Sequence, residues 1–218
     1  MKDNRFILPA AFALAFVFSC SSDGSDGAPG VDGKDCISGA DGNQFCDTRD
    51  SKIYKKVKIG TQVWMAENLN YDVPGNTTDV CYDNNASHCV TYGRLYNWAT
   101  ALTACPSGWH IPSDAEWTAL TDYVGGISTA GSKLKAASGW NSSGNGTDDY
   151  GFSALPGGGG NSDGSFGSVG GYGYWWSASE YHSDGAYSRS MYYDGSDVGR
   201  GGDDKTHLFA VRCLEDET

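Results

Sequence analysis

An apolar run from Phe6 to Phe18 follows Lys2 and Arg5, and it is shorter than the about 20 residues that a membrane-spanning helix requires. A positive start before a short apolar stretch predicts a removable secretion signal over residues 1–19. The folded part is predicted to begin near Asp47. Ile53, Val57 and Ile59 lie on one side of a predicted strand, Gly60-Thr61 marks a turn, and Gln62-Val63-Trp64-Met65 reads as the hairpin partner. Leu95, Trp98, Ala99 and Leu102 then recur at helical spacing until Pro106 and Gly108 stop them. Ser113 and Glu116 have the spacing of a capping box, in which each side chain satisfies a free amide of the first turn. This predicts a second helix with Trp117, Leu120 and Val124 buried and Gly125-Gly126 at its end.

Beyond these helices the pattern gives way to glycine, asparagine and aromatic residues. Gly139 to Gly171 has little periodicity of either kind and reads as a long, turn-rich loop that neighbouring contacts or an ion must hold. Three strand candidates follow: Tyr174 to Ala178, Ala186 to Tyr193, and Leu208 to Leu214. Near the start, glycines at 24, 27, 30, 33, 39 and 42 form a short collagen-like series that Cys36 interrupts. A triple helix needs glycine at every third place, so this run is read as a flexible spacer, with a trimerising stalk as the alternative. The resulting division is a signal over 1–19, a glycine-rich tether over 20–46 and one folded domain over 47–218.

Composition sharpens the compartment. The chain carries seven cysteines and a net charge of −12, an acidity that argues against nucleic acid and anionic membrane surfaces as partners. Val17-Phe18-Ser19-Cys20 resembles the lipobox of bacterial lipoproteins, which implies Cys20 as a lipid-modified first residue of the mature chain, followed by the polar stretch Ser21 to Gly27. Cys36, Cys46, Cys81, Cys89, Cys105 and Cys213 remain, an even set that suits an exported chain. Six cysteines allow 15 pairings. Pairing near neighbours, Cys36 with Cys46 and Cys81 with Cys89, leaves Cys105 for Cys213. Zinc is the competing use, but no C-x-x-C spacing occurs and the four histidines form no ligand-like pairs.

The order of strand, helix ending in cysteine, capped helix, long loop and strands ending in cysteine resembles the C-type lectin-like fold, an α+β domain of two helices and small antiparallel sheets. The strings Tyr96 to Cys105 and Gly108 to Trp117 are similar to its two-helix signature. That resemblance implies a bond between the cysteine of the first helix and that of the last strand, here Cys105 and Cys213. A closer resemblance spans nearly all of Asp50 to Leu214. Val57 to Asn70, Cys105 to His110, Tyr150-Gly151-Phe152-Ser153-Ala154-Leu155-Pro156-Gly157-Gly158 and Tyr174-Trp175-Trp176-Ser177-Ala178 look like the Fibrobacter succinogenes major paralogous domain. Membership implies an exported, lipid-anchored module at the outer membrane or cell surface, and it implies no defined activity.

The lectin resemblance invites calcium-dependent sugar binding, which needs carboxylate and amide oxygens around an ion. The Glu-Pro-Asn, Gln-Pro-Asp and Trp-Asn-Asp motifs of that chemistry are absent. Asn145, Asp148 and Asp149, with Asn161, Ser162 and Asp163 nearby, are candidates for a structural calcium; solvated turn chemistry is the alternative. No cofactor is required by this reading. Aromatic residues offer another surface: Tyr187, Arg189, Tyr192, Tyr193 and Trp176 are candidate ligand contacts of a non-catalytic binding or adhesion module for a glycan or an extracellular protein; the alternative is a structural envelope protein without a specific ligand, whose aromatics are all core. Catalysis has little to stand on. No Gly-x-Ser-x-Gly elbow occurs, and Phe209 to Cys213 resembles only faintly the closing strand of formylglycine-generating enzymes, whose paired thiols this chain would hold in disulfides.

Overall fold

A computed structural model describes residues 42–217. The signal segment, Cys20, Cys36 and the glycine run up to Gly39 lie outside those residues. Gln44–Asp47 (β1), Lys52–Ile59 (β2) and Gln62–Met65 (β3) form consecutive antiparallel hairpins, so regular structure starts inside the segment read as tether. The predicted β2–β3 hairpin is present, but its burial is not the one expected. Ile53 is 45% exposed, while Tyr54 and Ile59 are buried. Tyr54 and Ile59 differ in parity because the two halves of β2 serve opposite faces: Tyr54 belongs to one core cluster and Ile59 to the other.

Asp79–Val80 (β4) leads to helix Ala86–Tyr92 (α1), which the Cys81–Cys89 disulfide ties at Cys89 to the chain just after β4. Leu95–Tyr96 (β5) is strand, and helix Trp98–Ala104 (α2) begins only after Asn97, whose side chain accepts a hydrogen bond from the Thr100 amide. The helical stripe expected from Leu95 is therefore corrected. Trp98, Ala101 and Ala104 face inward, whereas Ala99 and Leu102 face out. Trp109–His110 (β6) follows, then helix Asp114–Tyr123 (α3), whose Ser113–Glu116 capping box is formed as predicted, with Trp117, Leu120 and Val124 fully buried. Ile127–Leu134 (α4) adds a helix that sequence patterning left out, so the described residues hold four α-helices and not two.

Within the long loop only Gly159–Gly160 (β7) and Phe166–Gly167 (β8) pair, as a two-stranded ribbon. Tyr172–His182 (β9), Gly185–Tyr192 (β10) and Gly199–Asp204 (β11) make an antiparallel meander. The last predicted strand is split into Phe209–Ala210 (β12) and Leu214–Glu215 (β13). The sheet orders are β1-β2-β3-β13-β6 and β11-β10-β9-β12-β5-β4, and β12 lies parallel to β9. The architecture is α+β with mostly antiparallel sheets.

Strand β9 separates two core clusters. Because successive side chains point to opposite faces, Trp175 joins Trp117, Phe152 and Leu120 on one side, and Trp176 joins Trp98, Phe209 and Tyr96 on the other. The Cys105–Cys213 bond ties the end of α2 to the chain between β12 and β13, with Cα atoms 5.9 Å apart. Both disulfides expected within the described residues are thus formed; Cys46 is also disulfide-bonded.

A buried cation stands between the long loop and the end of β10. The Lys135 ammonium donates to the carbonyls of Tyr192, Tyr193 and Gly195 at 2.9–3.2 Å and lies 5.1 Å above the Trp140 ring; burial pushes its pKa below the ordinary lysine value. Trp140 and Phe152 insert into the main core, and the Trp140 indole donates to Ala154 O. Gly144 lies so close to Tyr193 that a Cβ would fall 2.1 Å from its carbonyl oxygen. The loop's small residues thus allow backbone to pack on backbone.

His110 closes the other end. Its Nδ1 is 2.6 Å from Asp216 Oδ1 and its Nε2 is 3.1 Å from Glu116 Oε1, while the Asp216 amide donates to Gly108 O. Partial burial opposes protonation, but the hydrogen bonds to the two carboxylates prevail and raise the imidazole above its ordinary value of 6.5. A group whose folded pKa exceeds its unfolded one adds stability in full below the unfolded pKa, and that stability is lost as pH rises through the folded pKa. The difference in melting temperature between the native chain and His110→Gln is expected to shrink from pH 5.5 to pH 8.5; a constant difference would show that the ion pairs contribute nothing.

Candidate functional site

Residues Tyr172, Tyr174 and Trp176 of β9 share a face with Ser188, Ser190 and Tyr192 of β10, as their cross-strand registers require. α2 and Phe209 cover the Trp176 end, leaving that indole fully buried with its Nε1 donating to Tyr96 O. Toward the other end the tyrosines form a ladder. The Tyr172 ring lies 4.4 Å from Tyr192 and 5.3 Å from Tyr174, Tyr192 meets Tyr193 at 4.4 Å, and Tyr174 continues onto Phe209 at 4.9 Å. All four tyrosines are partly exposed. Beside them the same face of β10 and β11 carries only Ser188, Ser190, Gly199 and Gly201 before Asp203. Ser188 is buried and its hydroxyl donates to Asp203, whereas Ser190 is partly exposed, so the row of phenols borders one serine and bare backbone.

The candidate ligand contacts do not form one surface. Tyr192 and Tyr193 lie in the ladder, but Trp176 is core and Arg189 faces the opposite side of the sheet, 1% exposed. Arg189 there pairs with Asp114 of α3 at 2.8 Å, and Arg200 pairs with the same carboxylate at 2.9 Å. Partial burial works against ionisation of Asp114, yet these two guanidiniums hold it below the usual carboxylate range. Tyr187, also on the α3 side, lies under the Arg200 guanidinium at 4.0 Å. Alternation explains the separation: Tyr187 and Arg189 are odd positions of a strand whose even positions carry the ladder. Tyr172 lies outside the predicted strand, which begins at Tyr174, and Tyr174 is not among the candidate contacts; their period-two spacing with Trp176 is the available signal.

The candidate calcium ligands are engaged in turns. Asp148 accepts from the Ser153 amide at 2.7 Å and from its hydroxyl at 2.6 Å, Asn145 Oδ1 accepts from the Trp140 amide, and Asp163 caps Ser165 in the same way. Asp149 is exposed, its amide bonded to Lys133 O. Among the described residues no three histidine, cysteine or acidic side chains gather as a metal-binding group.

A different set of residues converges in the interior. Arg212 is fully buried and sits 4.3 Å over the Phe152 ring. Its guanidinium donates to Asn68 Oδ1 at 2.8 and 3.2 Å, to Phe152 O and to Ser153 O, and among the described residues no carboxylate forms an ion pair with it. Burial pushes it down to about 9, so it remains charged at neutral pH. The same Asn68 oxygen accepts from Trp175 Nε1 at 2.8 Å, and Asn68 Nδ2 donates to Tyr92 O. Three of the phrases that carried the family resemblance, those holding Asn68, Phe152-Ser153 and Trp175, therefore meet at one buried knot closed by Arg212. Residues 57–215 match the model of the Fibrobacter succinogenes major domain. The chain belongs to this family. No curated protein and no solved structure matches the chain. No helix among the described residues is long and apolar enough to cross a membrane.

Proposed function

We propose that this Fibrobacter succinogenes major domain is a non-catalytic glycan-binding module, carried outside the cell on a lipid-anchored tether at Cys20. The observation that carries the reading is the Tyr172–Tyr174–Tyr192 ladder, partly exposed on the sheet beside Ser190 and the bare backbone of Gly199 and Gly201. Aromatic rings bury area with little loss of side-chain freedom. A flat, amphipathic face of this kind suits sugar rings, which present C–H faces and equatorial hydroxyls. The module is read as a C-type lectin-like variant in which the capped helix, the helix-to-strand disulfide and the long loop keep their order while the ligand face is aromatic. Calcium is not needed at that face in this reading, since the oxygens of Asn145 and Asp148 already serve turns. Every described cysteine is disulfide-bonded, which supports a binding role over thiol chemistry.

The test is a glycan array probed with the purified domain, in calcium and in chelator, beside a Tyr172→Ala/Tyr192→Ala variant. Loss of a stacked pair costs about 0.5–1.5 kcal/mol beyond its buried area, so the variant is expected to stay folded with a melting point a few degrees lower. Binding is expected to fall at least about tenfold. Unchanged binding by a folded variant would remove the ladder from the site.

A further inference from the structure

At one end of the ladder the sheet face runs into a depression of about 200 Å³, bounded by Tyr174, Asn161, Asp203 and His207 and floored by Gly159, Gly160 and Gly167. Three separate parts of the chain build it. The β7–β8 ribbon supplies the glycines, β9 supplies Tyr174, and the end of β11 with the turn after it supplies Asp203 and His207. The floor is bare for a structural reason at two positions. A Cβ on Gly159 would meet the Phe209 ring at 3.1 Å, and one on Gly160 would meet Phe166 at 3.0 Å and Leu208 at 3.1 Å. Gly167 differs: nothing lies within 4 Å of where its Cβ would stand, so the space above it is open.

The polar groups are fixed in place. Asp203 Oδ2 accepts from Ser188 Oγ at 2.5 Å, and its Oδ1 lies 3.9 Å from His207 Nδ1. His207 rests on Phe209, ring centroids 5.8 Å apart, and Phe209 in turn stacks on Tyr174. Asn161 is held by its Nδ2 donating to Ser165 Oγ at 3.0 Å. The depression therefore offers one carboxylate, one imidazole and one amide around a small floor, with an aromatic ring forming a wall continuous with the ladder.

We propose that this depression is a terminal subsite that takes a single neutral sugar ring of the glycan whose neighbouring units lie along the ladder. The proposal rests on the glycan reading above and names its end-point and its selectivity. Its volume is below the about 300–1,000 Å³ of sites that enclose a drug-sized ligand, which suits one ring. A carboxylate accepts hydrogen bonds from vicinal hydroxyls, and the same negative charge, within a chain of net charge −12, repels a uronate. The subsite therefore selects neutral hexose or hexosamine oligomers over acidic ones.

Two variants test it without touching the core. Gly167→Phe fills the open space above the floor, and Asp203→Asn removes the charge while keeping the shape. Each is measured beside the native chain on immobilised neutral hexose and hexosamine oligomers and on uronate oligomers, with melting points recorded. The native chain is expected to bind neutral oligomers only. Gly167→Phe is expected to bind them at least about tenfold more weakly at an unchanged melting point, and Asp203→Asn to gain binding to uronates relative to neutral oligomers. If the native chain binds neutral oligomers and Gly167→Phe binds them equally well, the subsite is wrong and the ladder reading stands. If the native chain binds uronates as tightly as neutral oligomers, the selectivity is wrong. If the native chain binds no glycan at all, the glycan reading itself falls and the subsite with it.

Discussion

Replacing Cys105 and Cys213 together by alanine is expected to lower the melting temperature of the domain by about 10–20 °C. The bond closes a loop with a sequence separation of 108, for which chain entropy alone predicts roughly 4–5 kcal/mol; each kcal/mol moves the melting point of a domain this size by about 2–4 °C. The Cys81–Cys89 bond spans only 8 residues, and the same relation gives roughly 2.5 kcal/mol. Its double alanine variant is expected to lose about half as much. Scanning calorimetry on both variants decides the matter. Equal losses would mean that the long loop is already constrained in the unfolded chain and that the entropic account does not apply.

The second large effect is expected at the buried knot, and it depends on which partner is removed. Asn68→Leu leaves the Arg212 charge in the interior with backbone carbonyls as its remaining acceptors, and it also strips Trp175 Nε1 of its partner. A buried donor left without its partner costs about 1–3 kcal/mol, and more when it is charged; here two donors lose theirs and one of them carries a charge. Arg212→Met removes the charge along with its donors and keeps much of the volume over Phe152. What remains unsatisfied is chiefly the Phe152 carbonyl, at about 1–3 kcal/mol, while Asn68 keeps its bond from Trp175. Urea unfolding is therefore expected to rank Asn68→Leu as the less stable of the two. The reverse order would show that packing of the guanidinium against Phe152 outweighs the desolvation of its charge.

Patterning located the elements that local rules control. The capping box at Ser113 and Glu116, the Gly60-Thr61 hairpin and the bonds Cys81–Cys89 and Cys105–Cys213 all follow from short spacings or from the family resemblance. It misjudged places where tertiary context sets the outcome. Leu95 has helical spacing to Trp98, but the β5 strand it occupies is recruited by β12 and β4, and the helix waits for the Asn97 cap. Trp175 and Trp176 are adjacent and both buried because β9 has core on both faces, which removes the alternation that would have sorted inside from outside. Arg189 read as a surface residue because arginine is seldom fully buried; its partner Asp114 is 75 positions away and gave no local sign. The ladder was half visible, in Tyr192 and Tyr193. Its completion by Tyr172 needed the β9–β10 register, and the depression needed three segments brought together from residues 159–209.

The two short strands β12 and β13 occupy central places, between β9 and β5 in one sheet and between β3 and β6 in the other. A chain made and delivered from its N-terminus would present the β2–β3 hairpin, the four α-helices and the β9–β11 meander before either sheet could be joined across its middle. Until residues 209–215 arrive, each sheet is two fragments with open inner edges, and the Cys105 thiol has no native partner. Such edges are sites of mispairing, and joining them late involves contacts of long sequence separation, which slow folding. Joining the sheets through β12 and β13 is therefore expected to be the slow step of refolding, and slower still when Cys105 and Cys213 are reduced; refolding rates of the oxidised and reduced chains check it.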